Sequence, residues 1–149
     1  MMDAVTYPTE YVTDFIVENF IAWRADFNTE TALLRKFTVK WTPTLAFLDK
    51  NGKEHYRVLG FLPPEAFIVH LILALARIAF ETSKYAQAAE LFDRIVIEYP
   101  DSEQVPQAIY FRGISRRKLT NDDSYLDEAA EELKRAFPDS EWTMRTNPW

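Results

Sequence analysis

Apolar side chains near the start of the chain recur every three or four positions. Tyr11, Val12, Phe15, Ile16 and Phe20 share one helical face, which predicts a helix over 7–19 that stops at Asn19. The period then changes. Residues 20–27 alternate, with Phe20, Ala22 and Arg24 on one side and Ile21, Trp23 and Ala25 on the other, which predicts a strand. Asn28 is placed to cap a short amphipathic helix over 29–37. Residues 44–48, Thr-Leu-Ala-Phe-Leu, read as a second strand. Asp49, Lys50, Asn51 and Gly52 carry turn chemistry, and residues 55–61 return as its partner in a hairpin. Pro63, Pro64 and Glu65 then open a helix expected to run to Glu81. Its first turns are apolar on every face, so it is expected to be covered on two sides and shared between two halves.

Beyond that helix the pattern is helical, and it repeats. Residues 85–103, YAQAAELFDRIVIEYPDSE, are echoed by 125–141, YLDEAAEELKRAFPDSE, and Pro100 and Pro138 lie 38 apart. A period of that size built from helix pairs is the mark of a solenoid. Asp101 or Ser102 could cap the helix of residues 103–119. Ser124 with Asp127 resembles a capping box for the last long helix, after a polar loop over 120–123.

Composition narrows the chemistry. The chain has 149 residues and no cysteine, which removes disulfides, thiolate metal sites and any catalysis by a thiol of its own. Its two histidines, His55 and His70, are too few for a histidine-rich metal centre, and no metal or other cofactor is expected. A net charge of −6 argues against general nucleic-acid binding. The most apolar run, 66–76, is shorter than the about 20 residues a membrane helix needs, and no secretory signal opens the sequence. The expectation is a soluble, cytoplasmic chain, with the compartment open if a leader or further N-terminus is missing. No phosphate loop, zincin motif or catalytic triad is found.

Two segments resemble known families. In the second half, with Val69 counted as one, Ala76, Tyr85, Ala88, Phe92 and Pro100 fall at positions 8, 17, 20, 24 and 32. This spacing resembles tetratricopeptide repeats, although the family usually has glycine where Ala76 stands. Gly113, Ala129 and Pro138 suggest a second, irregular unit, giving about two repeats over 64–149. In the first half, the order of elements and the segment WTPTLAFLDKNGKEHYRVLGF resemble the later part of a thioredoxin-like domain over 1–80. The resemblance implies that Thr42 and Pro43 form its cis-proline loop and that Gly60 is the glycine after its last strand. Met2 to Tyr7 resembles the segment that follows the family's Cys-x-x-Cys. The chain thus looks as if it begins just after an active site, with the family's first strand, first helix and second strand lying before residue 1.

The expected fold is therefore α/β, a partial thioredoxin-like unit, followed by all-α helix pairs of tetratricopeptide type, with helix 64–81 shared. The resemblance implies a non-catalytic protein-interaction module like those of co-chaperones or assembly factors, with a protein or peptide partner. The alternative is the C-terminal portion of a thiol-disulfide oxidoreductase whose cysteines lie upstream. Arg112, Arg116 and Arg117 could grip a peptide carboxylate, or be a solvated face paired with Glu128, Glu131 or Glu132. His70 is expected to be packed or hydrogen-bonded, and His55 to be solvated. Trp142 and Trp149 are expected to seal the end of the last helix pair. With a sheet neighbour missing, Ile21, Trp23, Leu45 and Phe47 would stay partly uncovered, and a homodimer through the strand-containing half is expected.

Overall fold

The computed structural model describes residues 2–149. They form two compact units, the first ending at Ile68 and the second being Val69–Trp149.

The first unit opens with a π-helical turn, Met2–Thr6, and helix α1, Glu10–Asn19. Val12 and Phe15 are buried on one face of α1, as the three-to-four spacing requires. A short helix, α2, is Thr31–Lys36. Strands β1, Thr44–Leu48, and β2, Glu54–Leu59, form an antiparallel pair in the register Thr44 opposite Leu59, with a bulge between Phe47 and Leu48. Asp49 builds the hairpin between them. Its Oδ1 accepts the backbone N–H groups of Asn51 at 2.8 Å and Lys53 at 3.0 Å, and Gly52 takes φ +78, a left-handed value at no steric cost. Phe47 lies 5.7 Å from the Phe20 ring and 5.8 Å from Tyr56, so one face of the sheet is closed by aromatics.

Residues 20–26 are not a strand: they have no regular structure, and a turn follows over 27–29. Strand geometry needs a ladder partner, and among the described residues none pairs with this segment. Local side chains bind the backbone instead. Glu30 accepts the Asp26 N–H at 2.7 Å, and Asp26 accepts the Asn28 N–H at 2.7 Å. Asn28 is therefore not the cap of α2; that position falls to Glu30, without a side-chain capping bond.

Helix α3, Pro64–Glu81, has the limits its sequence predicts. Phe67, Ile68, Val69, Leu71, Ile72, Leu73 and Ala74 are at most 3% exposed, while Leu75 and His70 are partly open. Helices α4, Tyr85–Glu98, α5, Val105–Thr120, α6, Ser124–Ala136, and the short α7, Glu141–Met144, complete the second unit. Helix α5 is central there, packing on α4, α6 and α7. Two capping expectations change. Gln104 is the N-cap of α5, with Ser102 Oγ accepting the Gln104 N–H at 3.2 Å, and α6 begins at Ser124, whose N–H goes to Asp122 Oδ1 at 2.9 Å. Trp149 stacks on Tyr110 at 4.8 Å between ring centres, and Trp142 packs against it at a tilt, at 5.3 Å.

Candidate interaction site

The register of the hairpin decides which backbone groups face outward. The Gly60 N–H donates to the Pro43 carbonyl at 2.9 Å. In antiparallel pairing, bonded and non-bonded residues alternate, so Leu45 and Phe47 bond to β2 while Thr44 and Ala46 turn their N–H and C=O groups to the other edge. No other described strand occupies that edge. The strand carries no charge and no proline between Thr44 and Leu48, so neither of those two edge-blocking devices is present there. The Thr42–Pro43 peptide immediately before it is cis.

Of the four residues expected on an open edge, Ile21 and Trp23 stand out into solvent, at 103% and 79% exposure. Leu45 is half-buried. Phe47 is buried at 8%, because the Phe20 and Tyr56 rings cover it, and so it is not part of an uncovered face.

His55 is also not solvated. It is buried, with Nε2 2.8 Å from Asp49 Oδ2. The hydrogen bond to His55 is the main cause holding the Asp49 carboxyl below the ordinary carboxylate value, with the Lys53 and Asn51 N–H groups acting the same way. This pair ties the hairpin turn to β2, a structural role for both residues.

Arg57, on β2, is a residue that sequence reasoning missed. Its Nη2 donates to the Phe37 carbonyl at the end of α2, at 2.5 Å, and to Glu54 at 2.6 Å. The hydrogen bond to that carboxylate pushes the guanidinium pKa further above its ordinary value.

In the second unit, the arginines of α5 are already engaged. Asp93 bridges Arg112, at 3.0 Å, and Arg116, and Glu132 takes the other end of Arg112. Arg117 holds Asp123 at 2.8 Å. Arg112, Gly113, Arg116, Tyr125, Glu128, Ala129 and Glu132 line a small cleft of about 120 Å³, whose charges are mutually compensated. His70 is partly buried, and burial pushes its imidazole pKa down against the opposing charge of Glu103. Among the described residues, no group of three acidic, histidine or cysteine side chains could hold a metal ion, and no helix is long and apolar enough to cross a membrane.

Residues 5–74 match a thioredoxin-like domain. No repeat family matches the helices that follow, and no curated protein or solved structure matches the chain. The domain carries no cysteine, so this chain contains no Cys-x-x-Cys redox site.

Proposed function

We propose that the chain is a non-catalytic protein-interaction module, of the kind found in co-chaperones and assembly factors, and that its partner is a protein or peptide. The observation that carries this reading is the open, uncharged edge of β1, beside a segment that Phe20 pins to Phe47 and that leaves Ile21 and Trp23 fully presented. An unpaired strand edge with apolar neighbours is a template for strand addition. A second copy of the chain is one such partner, joining edge to edge about a two-fold axis. The C-terminal helices fit about two tetratricopeptide-like pairs, a reading supported by Ala76, Ala88 and Phe92 being wholly buried at the small and large positions of that pattern. Arg112 and Arg116 already hold carboxylates, so the reading assigns the partner contact to the N-terminal unit.

Light scattering at micromolar concentration tests self-association. A mass of twice 17.5 kDa, lost on Trp23→Lys, supports pairing, and a persistent 17.5 kDa species refutes the dimer. A displayed random-peptide library tests the wider reading. Enrichment of peptides that perturb Thr44, Ala46, Ile21 and Trp23 supports it, and no enrichment in a monomeric protein sinks it.

A second reading, a portion of a thiol-disulfide oxidoreductase with upstream cysteines, is favoured by the thioredoxin-like match alone. Such chemistry needs a thiolate, so the chain as given should leave insulin reduction by a dithiol at the blank rate.

A further inference from the structure

We infer that the C-terminal end of α2 is a second contact site of this interaction module, built to take one bulky apolar side chain flanked by carboxylates in an acidic partner segment. The inference rests on the reading of the chain as a module for protein segments, but on different residues.

The site is formed by the way α2 stops. The Thr38 N–H donates to the Arg35 carbonyl at 3.1 Å and the Val39 N–H to the Leu34 carbonyl at 2.8 Å, the two bonds of a Schellman ending. Thr38 takes the left-handed position at φ 51, where glycine normally stands. A β-branched residue there is strained, and strain of this kind is kept where the surroundings hold it. Here the holding group is Arg57, whose Nη2 clamps the Phe37 carbonyl at 2.5 Å.

This ending brings Leu34 and Val39 together in the lining of a cleft of about 420 Å³, with Phe27 and Thr31 beside them. Phe27 is 44% exposed, so the apolar lining is open to a visitor.

The charges around the cleft have one sign. Arg35 and Lys40 line it, and no carboxylate does. This occurs in a chain of net charge −6, where other arginines such as Arg24, Arg94 and Arg145 each hold an acidic partner. An apolar lining that also carries two cations matches a ligand with one apolar group and two anions. A peptide of the pattern acid–apolar–acid supplies both anions, with the Arg35 fork taking one carboxylate and Lys40 the other. An amphiphile with a single head group supplies only one, and so the partner is assigned as a peptide segment.

The test uses the full chain and a fluorescein-labelled, end-blocked peptide, Glu-Asp-Phe-Asp-Glu, read by anisotropy and amide chemical shifts. Saturable binding is expected, with shifts concentrated at 27–40, lost when the peptide's phenylalanine is replaced by serine or its acids by lysines. Arg35→Glu with Lys40→Glu should weaken binding by roughly tenfold or more, and Arg35→Gln with Lys40→Gln by less. All four replacements sit at exposed positions, and an unchanged far-UV spectrum shows that the variants fold. Binding indifferent to these substitutions, or tighter binding of decanoate than of the peptide at the same residues, overturns the inference. If the probe fails while library peptides perturb Thr44, Ala46, Ile21 and Trp23, the site is wrong and the module reading stands. If neither the probe nor any library peptide binds and the protein is monomeric, both fall.

Discussion

Gly113→Ala should destabilise the second unit, although the same change stabilises most helices. Gly113 lies inside α5, where alanine would normally gain about 0.8–1.0 kcal/mol in helix propensity. Here a Cβ would sit 2.6 Å from the Ala129 Cβ and 3.0 Å from the Tyr125 carbonyl oxygen, both on α6. Carbon atoms favour separations of about 3.5–4.0 Å, so the two helices must part by close to 1 Å. Neither obstacle is the far end of a flexible side chain; one is a methyl fixed to backbone and the other is backbone itself. Overpacking of this kind costs about 1–3 kcal/mol, and the rigid contact places it in the upper half. The net loss is then about 1–2 kcal/mol, or a few degrees in melting temperature for a chain of this length. Urea unfolding followed through Trp142 and Trp149 fluorescence measures it. The decisive control is Ala129→Gly. Alone it should cost stability, but in the Gly113→Ala background it should cost less or restore stability, giving a coupling of about 1–2 kcal/mol. A coupling near zero, or a Gly113→Ala protein more stable than the parent, would refute the close-approach argument.

Other outcomes follow from burial and charge. Burial holds the His70 pKa below its ordinary 6.5, so as pH falls through about 6.5 the unfolded chain gains a proton that the fold refuses, and stability drops. His70→Gln should flatten urea midpoints between pH 7.5 and 5, and an unaltered slope counts against the assignment. The Asp49 carboxyl is held below its ordinary 3.8, so its contribution is present above that value and lost as pH falls through the folded one. Asp49→Asn keeps an acceptor for the Asn51 and Lys53 N–H groups but removes the charge facing His55. It should be less stable than the parent at pH 7, with the gap closing in acid; a gap independent of pH would contradict this. Leu71→Ala, at a site 2% exposed, should cost about 2–5 kcal/mol in a urea titration, and Leu75→Ala, at a partly open site, clearly less; equal costs would contradict the burial pattern.

The elements legible in the sequence are those whose signal is local. Helix α3 could be placed to the residue because proline opens it and a long apolar run fills it. The hairpin was legible because Asn51-Gly52 meets its turn geometry directly. Capping was less legible. Ser124 and Ser102 were sound candidates by type, but caps depend on where the helix begins, and the cap positions fall to Asp123 and Gln104. Contacts far apart in sequence were hardly legible at all. Arg57 reaches a carbonyl 20 residues away, and nothing in the spacing of residues 54–59 announces it. The basic residues of α5 could be seen as a face, but not that Asp93 on α4 would sit between Arg112 and Arg116. His55 shows the same limit, since its burial follows from the carboxylate that builds the turn six residues before it.

The segment 20–27 failed for a reason that bears on function. Alternation encodes two faces, but a strand also needs a neighbour to satisfy its backbone, and no sequence period records whether one is present. Phe20 packs on Phe47, yet from Ile21 onward the chain has side chains suited to a strand and no ladder. On the interaction-module reading, its strand character is conditional on a partner. If a second copy or a peptide supplies that ladder, the amides of Ile21, Trp23 and Ala25 should become protected from hydrogen exchange together with those of Thr44 and Ala46. If binding protects Thr44 and Ala46 alone, the partner adds to β1 without recruiting the segment, and the alternation over 20–27 reflects packing of Phe20 with no latent strand. Exchange measured on the free chain and at saturating partner separates the two outcomes, because a segment without regular hydrogen bonds exchanges near the rate of an unfolded peptide until a ladder forms.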